Sequence, residues 1–279
     1  MNRLTIIFFF IILLTSCQKE VGVSSGQEVQ LSYTLRPDIQ FELKSGEGDS
    51  TSPTVGSASQ INVLWYGVYH KKTNGEYVYM SDMSAFVEVQ NPDDIRVPIT
   101  LIKGQEYEII FVAQHRIPAA DDRFAYMYTI SEEAVMTRNT AATVTSGEQL
   151  DVFVYFDRVG PVTGNLTKNI TLDRPVAQIN IGTLAATLPS DLDVTFSNVP
   201  ESYDIRNCTY SGTTSFSLEN LSVAGDQIKV NETDYTRLST LYILGGNQVG
   251  MTISTDGNQK IINRVDTAPN FKTNIVGNI

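Results

Sequence analysis

The residue best placed to do chemistry lies near the start of the chain. Cys17 follows Leu14-Thr15-Ser16, and small residues before a cysteine fit a lipoprotein signal peptidase. Upstream, Arg3 precedes the mainly apolar run Leu4 to Leu14, which has the length of a secretory leader, whereas a membrane-spanning helix needs about 20 apolar residues. We therefore predict that residues 1–16 are a lipoprotein signal peptide and that Cys17 becomes an acylated N-terminus, with palmitate among its chains.

A cysteine acylated in this way anchors a protein to a bilayer. Each buried methylene contributes about 0.8 kcal/mol, and stable anchoring takes two chains. The expected partner of Cys17 is thus membrane lipid, and residues 17–28 are predicted to be a lipidated tether. The chain is therefore expected to lie outside the cytoplasm, anchored to a membrane.

Catalytic groups are sparse in the rest of the sequence. The two histidines, His70 and His115, lack the spacing of a zinc site, and Asp121-Asp122 and Asp191-Leu192-Asp193 do not match a calcium loop. Nucleophile elbows, phosphate-binding glycine loops and dinucleotide fingerprints are absent from the sequence. We predict that the chain is not an enzyme and uses no metal and no cofactor.

The net charge and the second cysteine bear on two further properties, nucleic-acid binding and disulfide formation. The net charge of −11 comes without a basic stripe, so the sequence predicts no nucleic-acid partner. Cys208 has no intramolecular disulfide partner once Cys17 is acylated. We expect Cys208 to be a buried, inert thiol.

Alternating polarity indicates β-strands almost throughout. Val29, Leu31, Tyr33 and Leu35 alternate with polar residues, and the same parity continues after Pro37 through Ile39–Leu43. This pattern predicts two half-buried strands separated by the proline. No segment after the leader sustains a helical period.

Turn residues divide the remaining strands. Asn74-Gly75 predicts the turn of a hairpin. A composition break at Gly160–Asn165 predicts a boundary between a domain at 29–163 and a domain at 164–279. Further strands are expected in these segments: Val63–Tyr69, Glu76–Met80, the alternating face of Tyr107, Ile109, Phe111 and Ala113, Leu150–Phe156, Ile170–Thr183, Val194–Phe196, and a meander of Leu238–Leu244, Val249–Thr255 and Lys260–Val265. The predicted fold is all-β, with two tandem β-sandwich domains of transthyretin-like or Greek-key type.

Several of these segments resemble a known family. The strand Asp173–Thr183 resembles the opening of the second domain of fimbrillin-like lipoproteins of Bacteroidales, which comprise major and minor fimbrial subunits and their anchors. Leu101–Gln114 is similar to a first-domain strand pair of that family, and Asn270–Asn278 to its near-C-terminal signature. Cys17-Gln18-Lys19-Glu20 also resembles the signal that sends lipoproteins of this phylum to the cell surface, which implies a location on the cell outer membrane, exposed at the surface.

The resemblance implies a function in fimbriae and adhesion. In that family, proteolysis releases the first strand of a subunit and an extended strand of the next subunit fills the groove, which is strand addition. The resemblance implies that the groove-forming first strand is Val29–Leu35, with Val29, Leu31, Tyr33 and Leu35 as its groove residues, or its continuation to Leu43. Other fimbrial subunits, and a host or bacterial surface ligand, are the partners that the resemblance implies.

Two departures from the family pattern affect this expectation. Processing next to a basic residue is expected at Arg36 or Lys44, but Arg36 precedes Pro37, and no lysine or arginine occurs between Ser45 and His70. An uncut subunit predicts an anchor. The chain also stops at Ile279, shortly after the family signature, which predicts a tip, a divergent accessory protein or a truncated gene product. Anchor, tip and accessory roles all remain open.

The alternative from a different class is a glycan-binding surface lipoprotein of the outer membrane. Such a protein needs exposed aromatic platforms, whereas aromatic residues around a hairpin more often form cross-strand pairs. The candidate residues are Trp65, Tyr66, Tyr69, Tyr77, Tyr79, Tyr126 and Tyr128.

Overall fold

The structure, a computed structural model, describes residues 26–40, 42–43, 56–118, 124–246 and 248–277. The predicted signal peptide, Cys17 and most of the tether lie outside these residues, as does Lys44. The predicted all-β class is confirmed. The strands are β1 Glu28–Pro37, β2 Glu42–Leu43, β3 Val63–Lys71, β4 Tyr77–Glu88, β5 Ile95–Ile102, β6 Tyr107–Gln114, β7 Arg116–Pro118, β8 Phe124–Tyr126, β9 Tyr128–Ile130, β10 Val135–Arg138, β11 Val152–Val159, β12 Leu166–Leu172, β13 Val176–Thr183, β14 Asp193–Val199, β15 Ser202–Asp204, β16 Thr209–Ser211, β17 Thr214–Leu218, β18 Gln227–Val230, β19 Thr233–Leu244, β20 Gln248–Thr255, β21 Asn258–Asp266 and β22 Phe271–Gly277.

Two sheets of the N-terminal half share one hydrophobic core. Sheet A has the order β12-β1-β5, and sheet C has the order β11-β6-β3-β4. Alternate residues of β1 and β5 meet Leu64, Ile109, Phe111 and Phe153 of sheet C in this core. The two layers thus form a β-sandwich in which β1 is the middle strand of the smaller sheet.

Sheet C lies between two cores. Ile109 and Phe111 of β6 face the core shared with sheet A, whereas Ile110 and Val112 face the core of the C-terminal half. Every residue of β6 is therefore buried, including Glu108. The sequence predicted one buried face for this strand, and the second layer of packing is the reason for the difference.

The C-terminal half is built on two larger sheets. Sheet B has the order β18-β19-β13-β22-β2, and sheet F has the order β17-β14-β20-β21. Their apolar residues, such as Ile179, Phe196 and Leu241, share the second core with sheet C. A smaller sheet E, of order β16-β15-β10-β9, joins residues of both halves, and β7 pairs with β8.

The predicted hairpin at Asn74-Gly75 is confirmed. The strands β3 and β4 pair antiparallel around this turn, and Gly75 has φ +88°. A positive φ is accessible to glycine at little steric cost. The side chain of Asn74 accepts a hydrogen bond from the Glu76 amide at 3.0 Å, which further fixes the turn.

Two strand predictions were wrong in part. Among the described residues of the predicted strand Ile39–Leu43, β2 alone is a strand, and it pairs with β22 of sheet B instead of extending β1. The predicted meander is also incomplete, because β19 belongs to sheet B whereas β20 and β21 pair in sheet F. Gly245 and Gly246 connect the two sheets there, so the turn crosses the sandwich and does not form a hairpin.

The position of the domain boundary stays a prediction. The strand β12, which follows the predicted boundary at 163/164, pairs parallel with β1 in sheet A. The next strand, β13, pairs with β19 and β22 in sheet B. The change from the first pair of sheets to the second therefore falls between Leu172 and Val176.

Helical structure in the described residues is limited to one 3-10 turn, Gly147–Leu150. Ser146 caps it, accepting a hydrogen bond from the amide of Glu148, and Leu150 anchors it in the core. Within the ranges that the structure covers, no helix has the length and apolar character to cross a membrane.

Candidate functional site

The candidate site is the slot that β1 fills between β5 and β12. The strand pairs antiparallel with β5, where Leu31 faces Ile99, and parallel with β12, where Leu31 faces Leu166. Neighbouring strands lie about 4.8 Å apart, so removal of β1 would leave two strands roughly 10 Å apart with no hydrogen bonds between them. Sheet A therefore depends on its central strand.

The predicted first-strand residues all point into the core. Val29, Leu31, Tyr33 and Leu35 are 0–4% exposed, and polar residues such as Gln30 and Ser32 face solvent between them. The alternation read from the sequence thus corresponds to a row of four apolar side chains on one face of β1. Fully burying a side chain of leucine size contributes about 1.5–3 kcal/mol, so this row is a strong determinant of register.

Tyr33 also makes a polar contact that the sequence did not predict. Its hydroxyl donates a hydrogen bond of 2.7 Å to Oδ2 of Asp157 on β11, and Lys168 Nζ on β12 lies 2.7 Å from the same oxygen. The ring packs against Phe111, with 4.9 Å between centroids. Burial and the neighbouring Asp157 raise the pKa of Tyr33 far above its ordinary value. The only sequence signal was a carboxylate interrupting the apolar run of β11.

The predicted processing residues lie at or beyond the end of this strand. Arg36 is an exposed residue of β1 opposite Thr171 of β12, and the next residue, Pro37, is still paired in the strand. The amide of Asp38 donates to the Leu172 carbonyl at 2.8 Å, so pairing continues past the proline. Lys44 lies outside the described residues. Processing at either residue stays a prediction.

A buried ion pair joins the two halves of the chain close to the slot. Arg174 Nε donates to Oδ1 of Asp151 at 2.9 Å, and Nη2 donates to Oδ2 at 3.1 Å and to the Gly56 carbonyl at 2.9 Å. The guanidinium lies 4.4 Å from the ring centroid of Phe153. Arg174 belongs to the sequence segment that resembles the second-domain opening. The sequence did not predict its ion pair, because the partner Asp151 lies outside that segment.

The histidines and the aspartate pair of the C-terminal half have structural partners. His70 Nε2 lies 3.0 Å from Oε1 of Gln105, and His115 Nδ1 lies 2.6 Å from the carbonyl of Gln60. Asp191 and Asp193 accept backbone hydrogen bonds at 2.7 and 2.8 Å. Asp121-Asp122 lies outside the described residues. Within the described ranges, no group of three or more His, Cys, Asp or Glu residues could hold a metal ion.

Most of the candidate glycan-binding aromatics serve the core. Trp65, Tyr69 and Tyr128 are buried, and the rings of Trp65 and Tyr69 pack against Tyr79 at centroid distances of 6.4 and 5.4 Å. Tyr66, Tyr77 and Tyr126 are half-buried. The ring of Tyr126 stacks at 4.5 Å on Phe86, an exposed residue that the sequence analysis did not single out. The contacts of Trp65 and Tyr69 with Tyr79 are those of cross-strand packing between β3 and β4, whereas the stack of Tyr126 on Phe86 joins β8 to β4 of another sheet.

Cys208 differs from its prediction. The residue is exposed, whereas the sequence predicted a buried thiol. It lies at the turn between β15 and β16 with φ +53°, where the chain reverses at the surface. The general tendency of free cysteine to be buried does not hold at a tight turn, because no neighbouring layer covers it.

Comparison with known proteins gives one family and a group of similar folds. A family of unknown function (DUF6562) matches residues 25–274, and no curated protein sequence matches the chain. The fimbrial anchor protein Mfa2 of Porphyromonas gingivalis shares 14% identity, with 85% of this chain and 82% of that chain covered, at a TM-score of 0.44. The tip fimbrial protein Mfa3 of the same organism shares 12% identity, with 86% of this chain and 82% of that chain covered, at a TM-score of 0.42. A candidate cell-adhesion protein of Bacteroides fragilis shares 9% identity, covering 90% and 92%, at 0.48.

Proposed function

This chain belongs to the DUF6562 family, whose function is unknown, and we propose that it is a fimbrial-subunit-like lipoprotein of the cell surface that acts in adhesion. It serves as an anchor, tip or accessory component and is joined to other fimbrial subunits by β-strand complementation. The proposal draws on the sequence motifs described above and on the arrangement of β1.

The observation that carries the proposal is the central position of β1 in sheet A. An N-terminal strand that is paired on both sides, with every second side chain buried, is an element that another extended strand can replace. Main-chain hydrogen bonds supply affinity in such an exchange, and the pockets under alternate side chains supply specificity. The four pockets here are those of Val29, Leu31, Tyr33 and Leu35.

The direction of pairing restricts the incoming strand. A replacement must run antiparallel to β5 and parallel to β12 to reproduce both ladders. It must also place apolar residues at four alternate positions, the third of them large enough to reach Phe111 and Asp157. A strand in the reverse direction would lose the native pairing with both neighbours.

The N-terminal anchor is the second part of the proposal. Acylated Cys17 holds the chain on the outer membrane, and the tether before β1 leaves the sandwich outside the bilayer. An uncut chain keeps its lipid and its own β1, which suits an anchor. A cut chain accepts a strand from another subunit and becomes part of the fibre.

The first experiment determines the N-terminus of the protein taken from native outer membranes, by intact-mass analysis and N-terminal peptide mapping. Acylated Cys17 still joined to β1 supports the anchor role. A new N-terminus between Arg36 and Ser59 supports incorporation into a fibre. An unacylated chain beginning at a residue before Cys17 would contradict the lipoprotein proposal.

Strand replacement is tested on a chain with a specific protease site introduced between Ser45 and Val55. After cleavage, the β1 fragment is removed in denaturant and the remainder is refolded with a labelled peptide of residues 26–40. The peptide is expected to be retained through gel filtration. A peptide with Leu31→Asn is expected to be lost, whereas one with Ser32→Ala, which changes only the solvent face, is expected to be retained. Equal retention of the Leu31→Asn peptide would contradict strand complementation.

A further inference from the structure

A cavity of about 220 Å³ lies where sheets B, E and F meet, away from the β1 slot. Its walls combine apolar, aromatic and polar side chains, namely Tyr128, Arg138, Pro200, Thr214, Phe216 and Leu244. The hydroxyl of Tyr128 already donates to the Leu150 carbonyl at 2.8 Å. The guanidinium of Arg138 is the cationic group among the residues that line this cavity.

Arg138 is a cation without an anionic partner among the residues that the structure describes. Its Nε is fully buried there with no hydrogen-bond acceptor, and no described carboxylate lies within 4.0 Å of its guanidinium. The guanidinium lies 3.9 Å from the ring centroid of Phe216. Burial also lowers the pKa of Arg138. A partly buried guanidinium with unused donors is costly unless an acceptor reaches it.

A surface groove adjoins the cavity. The groove, of about 580 Å³, shares Arg138, Thr140 and Phe216 with the cavity. It continues along β17 to Asn220. The exposed side chains of Ser215 and Ser217 and the side-chain amide of Asn220 provide hydrogen-bonding groups there. A ligand that places its acidic group on Arg138 can therefore extend along a surface rich in hydroxyl groups.

We propose that this cavity and groove bind an acidic sugar, with the carboxylate of a uronate residue on Arg138. A guanidinium matches the planar, two-oxygen geometry of a carboxylate, and Phe216 holds it from one side. The carboxylate of Glu201 lines the cavity and that of Glu219 lines the groove. Both repel a phosphate dianion more strongly than the single charge of a carboxylate, and both can accept hydrogen bonds from sugar hydroxyls. This site is separate from the β1 slot, and the proposal does not depend on strand complementation.

Titration calorimetry of the purified full-length chain tests the proposal. The probes are an oligogalacturonate, the corresponding neutral galactose oligomer, and acetate as a bare carboxylate. Saturable binding of the oligogalacturonate is expected. The neutral oligomer lacks the carboxylate and is expected to bind at least roughly tenfold more weakly, because loss of a charge-assisted hydrogen bond weakens binding by about tenfold to a hundredfold. Acetate keeps the carboxylate but lacks the sugar ring and its hydroxyls, so it is also expected to bind at least roughly tenfold more weakly.

Three variants assign the binding to Arg138. Arg138→Met keeps the length of the side chain and is expected to weaken binding at least roughly tenfold, whereas Arg264→Met, at an exposed residue of β21, is expected to leave it unchanged. Arg138→Lys keeps the charge without the planar fork and is expected to be intermediate, so it serves as a second test if the methionine variant misfolds. No saturable binding by the wild-type chain, equal binding of the neutral oligomer or of acetate, or full binding by both Arg138 variants would each overturn the proposal.

Discussion

The hydroxyl of Tyr33 and the carboxylate of Asp157 connect the strand proposed for exchange to the opposite sheet, at 2.7 Å. Asp157 also lies 2.7 Å from the ammonium group of Lys168, so one carboxylate contacts β1 and β12 together. The other buried side chains that β1 places in the core, those of Val29, Leu31 and Leu35, are apolar. In the strand exchange proposed above, the Tyr33 pocket would therefore add a polar contact to the apolar packing of the other three pockets.

Removal of the Tyr33 hydroxyl should weaken the interaction between β1 and the facing sheet. We expect Tyr33→Phe to lower the free energy of unfolding by about 1.5–3 kcal/mol, the range for a hydrogen bond to a charged group. Urea unfolding followed by circular dichroism measures the change. Tyr155→Phe is the matched control, since the Tyr155 hydroxyl has no hydrogen bond within the described residues, and its effect should stay within about 0.5 kcal/mol. Equal effects of the two substitutions would contradict the role of Asp157.

The same contact predicts a dependence on alkaline pH. Burial and Asp157 raise the pKa of Tyr33 in the folded chain, whereas in the unfolded chain it ionises near pH 10. The stability that Tyr33 contributes is therefore complete below pH 10 and lost as pH rises above it. The difference in unfolding free energy between wild type and Tyr33→Phe should shrink from pH 9 to pH 11. A difference that stays constant over this range would show that Tyr33 ionises equally in both states.

The buried face of β1 provides a third prediction. Leu31 is fully buried between Ile99 and Leu166, and truncation of a buried leucine costs about 2–5 kcal/mol. We expect Leu31→Ala to lower the unfolding free energy by that amount. Ser32→Ala, one residue further on the solvent face, should change it by less than about 0.5 kcal/mol. A large effect at Ser32 would contradict the observed register.

The sequence predicted local structure well where one face of a strand meets solvent. The period of two at Val29–Leu35 identified β1 and its buried residues, and Asn74-Gly75 identified the hairpin, because both signals depend on neighbours in the chain. The pairing partners were not accessible in this way. The parallel pairing of β12 with β1 joins residues more than a hundred positions apart, and no local pattern encodes it.

Buried polar contacts were the other feature that could not be predicted from the sequence. Asp157, Lys168, Asp151 and Arg174 read as ordinary charged residues, yet each has a partner on another strand or segment. Gly245-Gly246 read as a hairpin turn, although the chain crosses there from one sheet to the facing one. In each case the outcome depends on which layers pack together, and the order of residues along a strand does not contain this information.

The exposed position of Cys208 can be checked by chemical labelling. Because the thiol lies at the surface turn between β15 and β16, a maleimide should modify it in the folded protein without denaturant. Peptide mapping locates the label, and Cys208→Ser is the control. The melting temperature of the labelled chain should equal that of the unlabelled chain. Labelling that requires denaturant would show that the thiol is buried, as the sequence predicted, and would contradict its exposed position.

The Asp151–Arg174 pair predicts how stability changes in mild acid. Burial raises the pKa of Asp151 to about 6, and this effect outweighs the opposing effect of the Arg174 guanidinium. The folded chain therefore binds a proton between about pH 4 and pH 6 that the unfolded chain does not bind. Stability from this group is present at the acidic end of that window and is lost as pH rises through about 6.

Relative to Asp151→Asn, which cannot titrate, the wild type should gain unfolding free energy as pH falls from 7 to 4. Guanidinium unfolding at a series of pH values measures this difference, and other titrating groups cancel because both chains contain them. Asp94→Asn, at an exposed ion pair with Arg96, should show a much smaller change over the same range. If the wild type instead loses stability relative to Asp151→Asn on acidification, the attraction of Arg174 outweighs burial, and the pair acts as an ionised link between the two halves of the chain down to low pH.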